Sequence, residues 1–491
     1  MLELLIYSLA IPIITGLVSF CIRQTNVVSW MNLVGSASTA GILFELVRRI
    51  GINGAFRQGI FLVDELSAIF VIIVGTLTLT AALFSFFYMK QELHMGHISE
   101  KMITRYYFLL QFFIVTMIFT LVVENLGLLW VAVEATTLIS ALLVAYYSNR
   151  SSIEAAWKYV MVCSVGIAMA LLGTMLIYYA QVQAGATDVQ PLSWIELRGD
   201  GTRFDPGLVR LAVVFIIIGY GTKAGLAPMH TWLPDAHSQA PTPVSGLLSG
   251  ALLSCAMYAI ARNLAIINLL PETGNFAGNL LTGFGLFSIA VAVPFLLLQH
   301  DIKRLLAYSS VENMGIVALG IGAGTPLGLY GALLHLINHA IGKSGLFYLS
   351  GILIQQYHSK QILRIHGIIN TSPVLGGLFI ALIMAVSGMP PFGIFLSKFV
   401  VIKAMFTNGS ILTGSAALIL LAGVFAGLVY YLFKMVFGAV PTGMEKKNTQ
   451  WGIVLAVIVS MLLLTVTGLQ VPAWLDRLLR SASEIVMGGN R

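Results

Sequence analysis

The chain has 491 residues, of which 58% are hydrophobic and only 10% charged, with 27 Lys and Arg against 20 Asp and Glu. A soluble domain carries about 25% charged residues, so a soluble, disordered or secreted protein is excluded, and the net charge of +7 is not the footprint of a nucleic-acid binder. A spanning helix takes about 20 mostly apolar residues, and the apolar content fills about 14 of them. The chain therefore reads as an all-α polytopic membrane protein.

The first apolar run, 3–21, follows Met1-Leu2-Glu3. This start lacks the basic region and the small-residue cleavage site of a signal peptide, so the run is expected to stay as the first span. Further runs of spanning length lie at 28–46, 66–89, 105–123, 126–147, 157–181, 208–226 and 243–262. Others follow at 277–298, 305–322, 327–355, 374–406, 411–440 and 452–470. Asp64-Glu65, just before the third run, suits capping at the positive end of a helix dipole. The one long polar loop, 182–207, holds Asp188, Glu196, Arg198, Asp200, Arg203 and Asp205 and is too short for a soluble domain. The run Asp301-Ile302-Lys303-Arg304 reads as a surface anchor opening the tenth span. After the last span, Trp474, Leu475, Leu478 and Leu479 beside Asp476, Arg477 and Arg480 predict a short amphipathic helix at the interface. Lys and Arg divide almost evenly between the loops of the two sides, so the positive-inside rule gives no orientation. Cys21, Cys163 and Cys255 form no C-x-x-C pair, so they offer no iron–sulfur or zinc site by themselves; no cofactor and no metal is expected in this chain.

Two spans are interrupted. The seventh runs into Gly221-Thr222-Lys223-Ala224-Gly225-Leu226-Ala227-Pro228, with Pro234 beyond it, and the twelfth carries Ser387-Gly388-Met389-Pro390-Pro391-Phe392-Gly393. Proline removes a backbone donor and clashes with the preceding turn, so each helix must kink or unwind. Interrupted helices in corresponding places of two halves point to an inverted-repeat transporter.

The charges within the spans carry the chemistry. Lys158, Lys223, Lys343 and Lys398 fall inside apolar runs, where a lysine costs about 2.5–3.5 kcal/mol on insertion scales. They should face the protein interior. Glu134 is the clearest intramembrane acid, and Glu312 in the tenth span is the second. His335, His339 and Lys343 recur every four residues, share one helical face and span about 12 Å of depth. Three titratable groups one turn apart suit a proton line with bridging water. A buried lysine's proton affinity falls on desolvation and rises beside a carboxylate, so moving Glu134 toward or away from Lys223 would load or discharge it. The competing reading for each charge is a static ion pair or a side chain snorkelling to a span end, and Lys158 suits snorkelling well. His230, Asp235 and His237 follow the seventh-span break and suit carriage of protons toward bulk water. A metal there would need three or four convergent ligands, which this run does not favour.

The block from Gly221 through Lys223, Pro228, His230, Trp232, Pro234, Asp235 and His237 to Thr242 resembles the antiporter-like proton-channel subunits of respiratory complex I and of the related Mrp-type cation/proton antiporters. Asp301 to Ser310, the His335/His339/Lys343 pattern and Lys398 after the second break extend the resemblance over nearly the whole chain. Ser310-Val311-Glu312-Asn313-Met314-Gly315 looks most like membrane-arm subunits of complex I-like [NiFe] hydrogenases of the formate hydrogenlyase type, such as component F of hydrogenase-4. The resemblance implies about 14 spans, with helices 1–3 over 1–104, two inverted five-helix repeats over 105–262 and 263–440, and helix 14 with an interfacial segment over 441–491. It also implies a periplasmic N-terminus in the inner (plasma) membrane. Carried over by position, Glu134 and Lys223 are the modulating glutamate and its lysine, and Lys158 is a further lysine of the sixth helix. His335, His339 and Lys343 are the central relay, and Lys398 is the terminal lysine. Many relatives carry a lysine or histidine on the eighth helix where this chain offers Ser249 and Ser254; serine positions water but holds no charge.

The function expected is proton translocation within a membrane oxidoreductase complex. Its partners would be further antiporter-like and small helical subunits, lipid, and a peripheral redox arm with Fe–S clusters and a [NiFe] centre. Two alternatives stay open: a Na⁺/H⁺ antiporter subunit driven by an ion gradient, and a scaffold whose buried charges are static pairs.

Overall fold

The computed structural model describes residues 1–22, 24–185, 190–440 and 451–489; Asp188 of the long loop and the 441–450 part of the last segment lie outside them. Helices α1 (Leu2–Cys21) and α2 (Thr25–Asn53) are followed by a hairpin that the sequence pattern did not announce, β1 (Phe56–Gln58) with β2 (Phe61–Val63). Then come α3 (Glu65–His94), α4 (Glu100–Val122), α5 (Leu126–Val144) and α6 (Arg150–Gln183). The polar loop holds the short α7 (Trp194–Asp200), and α8 (Pro206–Ala224) and α9 (Trp232–Gln239) form the interrupted seventh span. The eighth is α10 (Thr242–Leu247), a π turn at Leu248–Leu252 and α11 (Leu253–Ile267). Helices α12 (Pro271–Leu297), α13 (Ile302–Gly322) and α14 (Pro326–Tyr357) precede the short α15 (Ile368–Thr371). The second interrupted span is α16 (Pro373–Ser387) with α17 (Gly393–Thr407), followed by α18 (Ile411–Val436), α19 (Trp451–Leu469) and α20 (Ala473–Val486).

Among the described residues, 12 helices are long and apolar enough to cross a membrane. The polar-lined α14 and the α16–α17 pair, which that measure passes over, bring the bundle to about 14 crossings of ordinary spanning length.

Local chemistry sets the boundaries. Asp64 accepts from the Ser67 amide, Asn125 from Gly127 and Leu128, and Asp301 from Lys303 and Arg304, each satisfying orphan donors at a helix start. Asn149 and Ser152 close a reciprocal capping box on α6. At both breaks the first half ends on a left-handed glycine, Gly225 with φ 78° and Gly388 with φ 96°, a conformation that costs glycine nothing. The prolines beyond lack the amide that would continue the helix.

Position in the bundle separates centre from perimeter. The most apolar stretch of Thr242–Ile267 is 100% buried, whereas that of α6 is 39% buried. Helix α14 packs against α3, α10, α13, α16, α17 and α19 and so runs through the middle. The amphipathic α20 lies with Leu475, Leu478, Leu479 and Val486 buried against α3, α11 and α14. Its apolar face thus covers helix ends of the bundle instead of resting in lipid.

Candidate functional site

The first cluster forms where α8 breaks. Lys223 stands in the last turn of α8 with its side chain fully buried. Its Nζ donates to Thr137 Oγ1 at 2.6 Å and to the Tyr159 hydroxyl at 2.8 Å. Thr137 in turn donates to Glu134 Oε2 at 3.2 Å, and Ser164 donates to Glu134 Oε1 at 2.6 Å. The direct Glu134–Lys223 ion pair expected from the sequence is therefore replaced by a hydroxyl bridge. The reason is local: Thr137, one turn beyond Glu134 on α5, reaches the ammonium first. Ser140 extends the cluster through Tyr159 at 2.8 Å. Glu134 itself is half-buried, on the outer side of the bundle.

Lys158 does not join this cluster. Helix α6 has 34 residues, about 51 Å at 1.5 Å per residue, against a hydrocarbon core of about 30 Å. Lys158 therefore lies near a protruding end, with its side chain 51% exposed, paired to Glu154 at 2.7 Å and to Asp235 at 3.4 Å. The expected interior orientation gives way to the snorkelling geometry. Asp235 also receives Arg304 at 2.7 Å and is the hub of this surface network.

The centre of the bundle holds the second cluster. The π turn brings the Ser249 hydroxyl to Ser310 at 2.8 Å, while the Ser249 carbonyl accepts from His339 Nε2 at 3.3 Å. Ser310 and Lys343 both donate to the Leu306 carbonyl, at 3.1 and 2.9 Å. Ser249 is thus joined to Lys343 without a charged group on the eighth helix. Ser254 bonds the Gly250 carbonyl of its own helix at 2.6 Å and takes no part. A π turn inside a helix often marks a functional position; this one contains Gly250, but a single glycine within an apolar run does not by itself announce a π turn.

The third cluster lies at the α16–α17 break. Lys398 Nζ meets Glu312 Oε1 at 2.9 Å and also faces the Ser387 carbonyl at 3.5 Å. Asn313 donates to Glu312 Oε2 and accepts from His335 Nε2 at 2.9 Å. The other ring nitrogen of His335 faces Ser397 at 2.9 Å. His335 and His339 have ring centroids 6.4 Å apart. Hydrogen bonds thus link Lys398, Glu312, Asn313 and His335 in series. His339 lies beside His335 with its Nδ1 unpartnered among the described residues and its Nε2 on the Ser249 carbonyl, and Glu312 and both histidines are fully buried.

The remaining candidates are separate. His230 is buried near Phe295 and Tyr308, and His237 is buried against Phe347, with ring centroids 4.9 Å apart. Among the described residues, no three His, Cys, Asp or Glu side chains converge as metal ligands. Two charged groups were missed from sequence. Lys303, read as a surface anchor, is buried with Nζ on the Ala240 carbonyl at 2.8 Å, because the α9–α10 link folds over the start of α13. Arg262 forms a buried bidentate pair with Asp64 at 2.5 Å on both arms. The Asp64 cap was visible in the sequence, but its partner 198 residues away was not.

Comparison with known proteins gives a consistent result. Residues 123–428 match the family model described as NADH:quinone oxidoreductase/Mrp antiporter, TM. The hydrogenase-4 component F homolog of Methylacidiphilum infernorum (isolate V4) is 37% identical over 428 residues, covering 87% of this chain and 88% of that protein. In structure, a chain of respiratory complex I from Thermus thermophilus with bound NADH superposes with a TM-score of 0.84 at 21% identity, covering 99% of this chain and 100% of that one. A chain of the Mrp complex from Dietzia sp. DQ12-45-1b gives 0.83 at 18% identity, covering 99% and 98%.

Proposed function

Because the chain belongs to the NADH:quinone oxidoreductase/Mrp antiporter transmembrane family, we propose that it moves protons across a membrane as one subunit of a larger redox complex. Electron transfer in other subunits supplies the energy; this chain supplies the buried acids, bases and hydroxyls that move the proton. The observation that carries the reading is the polar line from Lys398 through Glu312 and Asn313 to His335. Burying that many ionisable groups in a membrane is expensive, and an uninterrupted series of donors and acceptors is what a proton needs to move. The roles follow from position. Glu134 modulates Lys223 through Thr137; His339, Ser249 and Lys343 pass the proton across the centre; Glu312 and Lys398 discharge it. Lys158 and Asp235 belong to a charged rim. The relative named after hydrogenase-4 favours a hydrogenase-type complex in the inner membrane, with further antiporter-like and small helical subunits and a peripheral arm holding Fe–S clusters and a [NiFe] centre.

The test is redox-driven proton uptake by the purified complex in proteoliposomes. Lys223→Ala is expected to lower uptake by about a hundredfold or more, the scale of losing a positioned proton-transfer group, with subunit composition unchanged by mass spectrometry. Unaltered uptake in the assembled variant would favour a scaffold. Na⁺-dependent proton movement without any redox substrate would identify a secondary antiporter instead.

A further inference from the structure

A cavity of about 460 Å³ opens at one end of the bundle, where α3, α9 and α14 end and α10 and α13 begin. Its wall holds two buried groups of opposite charge. Glu92, 4% exposed, accepts from Gln355 Nε2 at 2.7 Å and from the Tyr147 hydroxyl at 3.1 Å, with His97 Nδ1 at 3.3 Å. Lys303, 5% exposed, has its ammonium on the Ala240 carbonyl. Neither group belongs to the three clusters already described.

Behind the cavity stands His237. Ser238, Gln239 and Ala240, which follow it in the chain, line the wall. Its ring is completely buried, and neither nitrogen has a hydrogen-bond partner. Buried polar atoms are nearly always paired, and a polar space of this kind accepts water. The ring lies flat on Phe347 of α14, their planes 18° apart. Along α14, Phe347 is eight residues from Gln355 at the cavity and four from Lys343, about 12 Å and about 6 Å of helix rise respectively. From the opposite side, Lys303 precedes by three residues Leu306, whose carbonyl holds Lys343. Two helices and one buried ring thus lead from the cavity to the central lysine.

We propose that this cavity is the site where protons from that face are loaded onto Lys343. Glu92 and Lys303 hold balancing charges at the mouth, and His237 passes the proton through water. One imidazole nitrogen takes a proton from cavity water while the other releases one toward Lys343. No bond between heavy atoms changes, and the ring returns to its starting tautomer by rotation or by proton exchange. This inference rests on the chain's reading as a proton-moving subunit.

Accessibility and transport test it together, in the whole complex with Cys21, Cys163 and Cys255 replaced by Ala. In His237→Cys, the fixed-charge reagent 2-(trimethylammonium)ethyl methanethiosulfonate is expected to label the thiol in vesicles of one orientation only. His237→Phe, and His237→Gln as a second variant that keeps hydrogen bonding but not proton exchange, are expected to lower redox-driven proton uptake by about a hundredfold. Glu92→Gln should cause a smaller loss. A thiol that resists labelling from both sides overturns the loading site. So does full uptake in the His237 variants while Lys343→Ala abolishes it, which leaves the proposed function standing. Full uptake in Lys343→Ala as well removes the proposed function and the loading site with it.

Discussion

At each of the two helix breaks a lysine of the broken span meets a glutamate of a neighbouring helix, in different arrangements. At the first break, Thr137 stands between Glu134 and Lys223. At the second, Glu312 and Lys398 touch at 2.9 Å. Coulomb attraction falls with distance, and inserting one hydroxyl roughly halves it. The exposures differ as well. Glu134 is half-buried while Lys223 is fully enclosed, whereas Glu312 is fully enclosed and Lys398 is 8% exposed. The first half therefore leaves its acid partly exposed, whereas the second buries both members of its pair. The lesson is that the sequence motif sets which charges are present, while the neighbours of α5 and α13 decide whether they are joined.

The largest expected effect comes from breaking the joined pair. Lys398→Met leaves Glu312 buried without a counter-charge and should cost about 3–5 kcal/mol. Lys223→Met leaves Glu134 half-buried with Ser164 and Thr137 still bonded to it, and should cost only about 1–2 kcal/mol. Thermal unfolding of the assembled complex measures both. Adding Glu312→Gln to Lys398→Met is expected to recover most of the lost stability, because the buried charge is gone, without recovering proton uptake. Equal costs for the two lysine variants would remove the distinction between the halves.

The next effect tests the bridge. Thr137→Val keeps the shape of the side chain but deletes the hydroxyl between Glu134 and Lys223. Proton uptake should fall about tenfold, the scale of one hydrogen bond to a charged group, and Thr137→Ser, which keeps the hydroxyl, should restore most of it. If Val is tolerated, Glu134 acts on Lys223 without Thr137, and the two breaks are functionally alike.

The sequence made the spans, both breaks and the identity of most buried charges readable, since apolar length, proline and glycine act locally. The same is true of the Asp64 cap. What it concealed depended on distance in the chain or on fine placement. Arg262 closes the last turns of a span and looks like a boundary residue until α3 brings Asp64 to it. Lys303 sits in a charged run that reads as surface until the α9–α10 link covers it. Lys158 falls within an apolar run, yet α6 is long enough to carry it out of the hydrocarbon. The five-residue π turn leaves little mark in composition, although it carries the Ser249 carbonyl that accepts from His339.

The smallest effect concerns that turn. Ser249 contributes two different bonds to the centre, its hydroxyl to Ser310 and its carbonyl to His339, and a side-chain substitution removes only the first. An ordinary hydrogen bond is worth about 1 kcal/mol, so Ser249→Ala should slow proton uptake about fivefold if that bond lies on the path. Ser254→Ala, five residues along the same helix, should leave uptake unchanged, because that hydroxyl is satisfied by the Gly250 carbonyl. Equal losses in the two variants would mean that the helix tolerates no change of packing at its centre, whereas a loss confined to Ser249 shows that an uncharged hydroxyl on the eighth helix can connect the unlike halves.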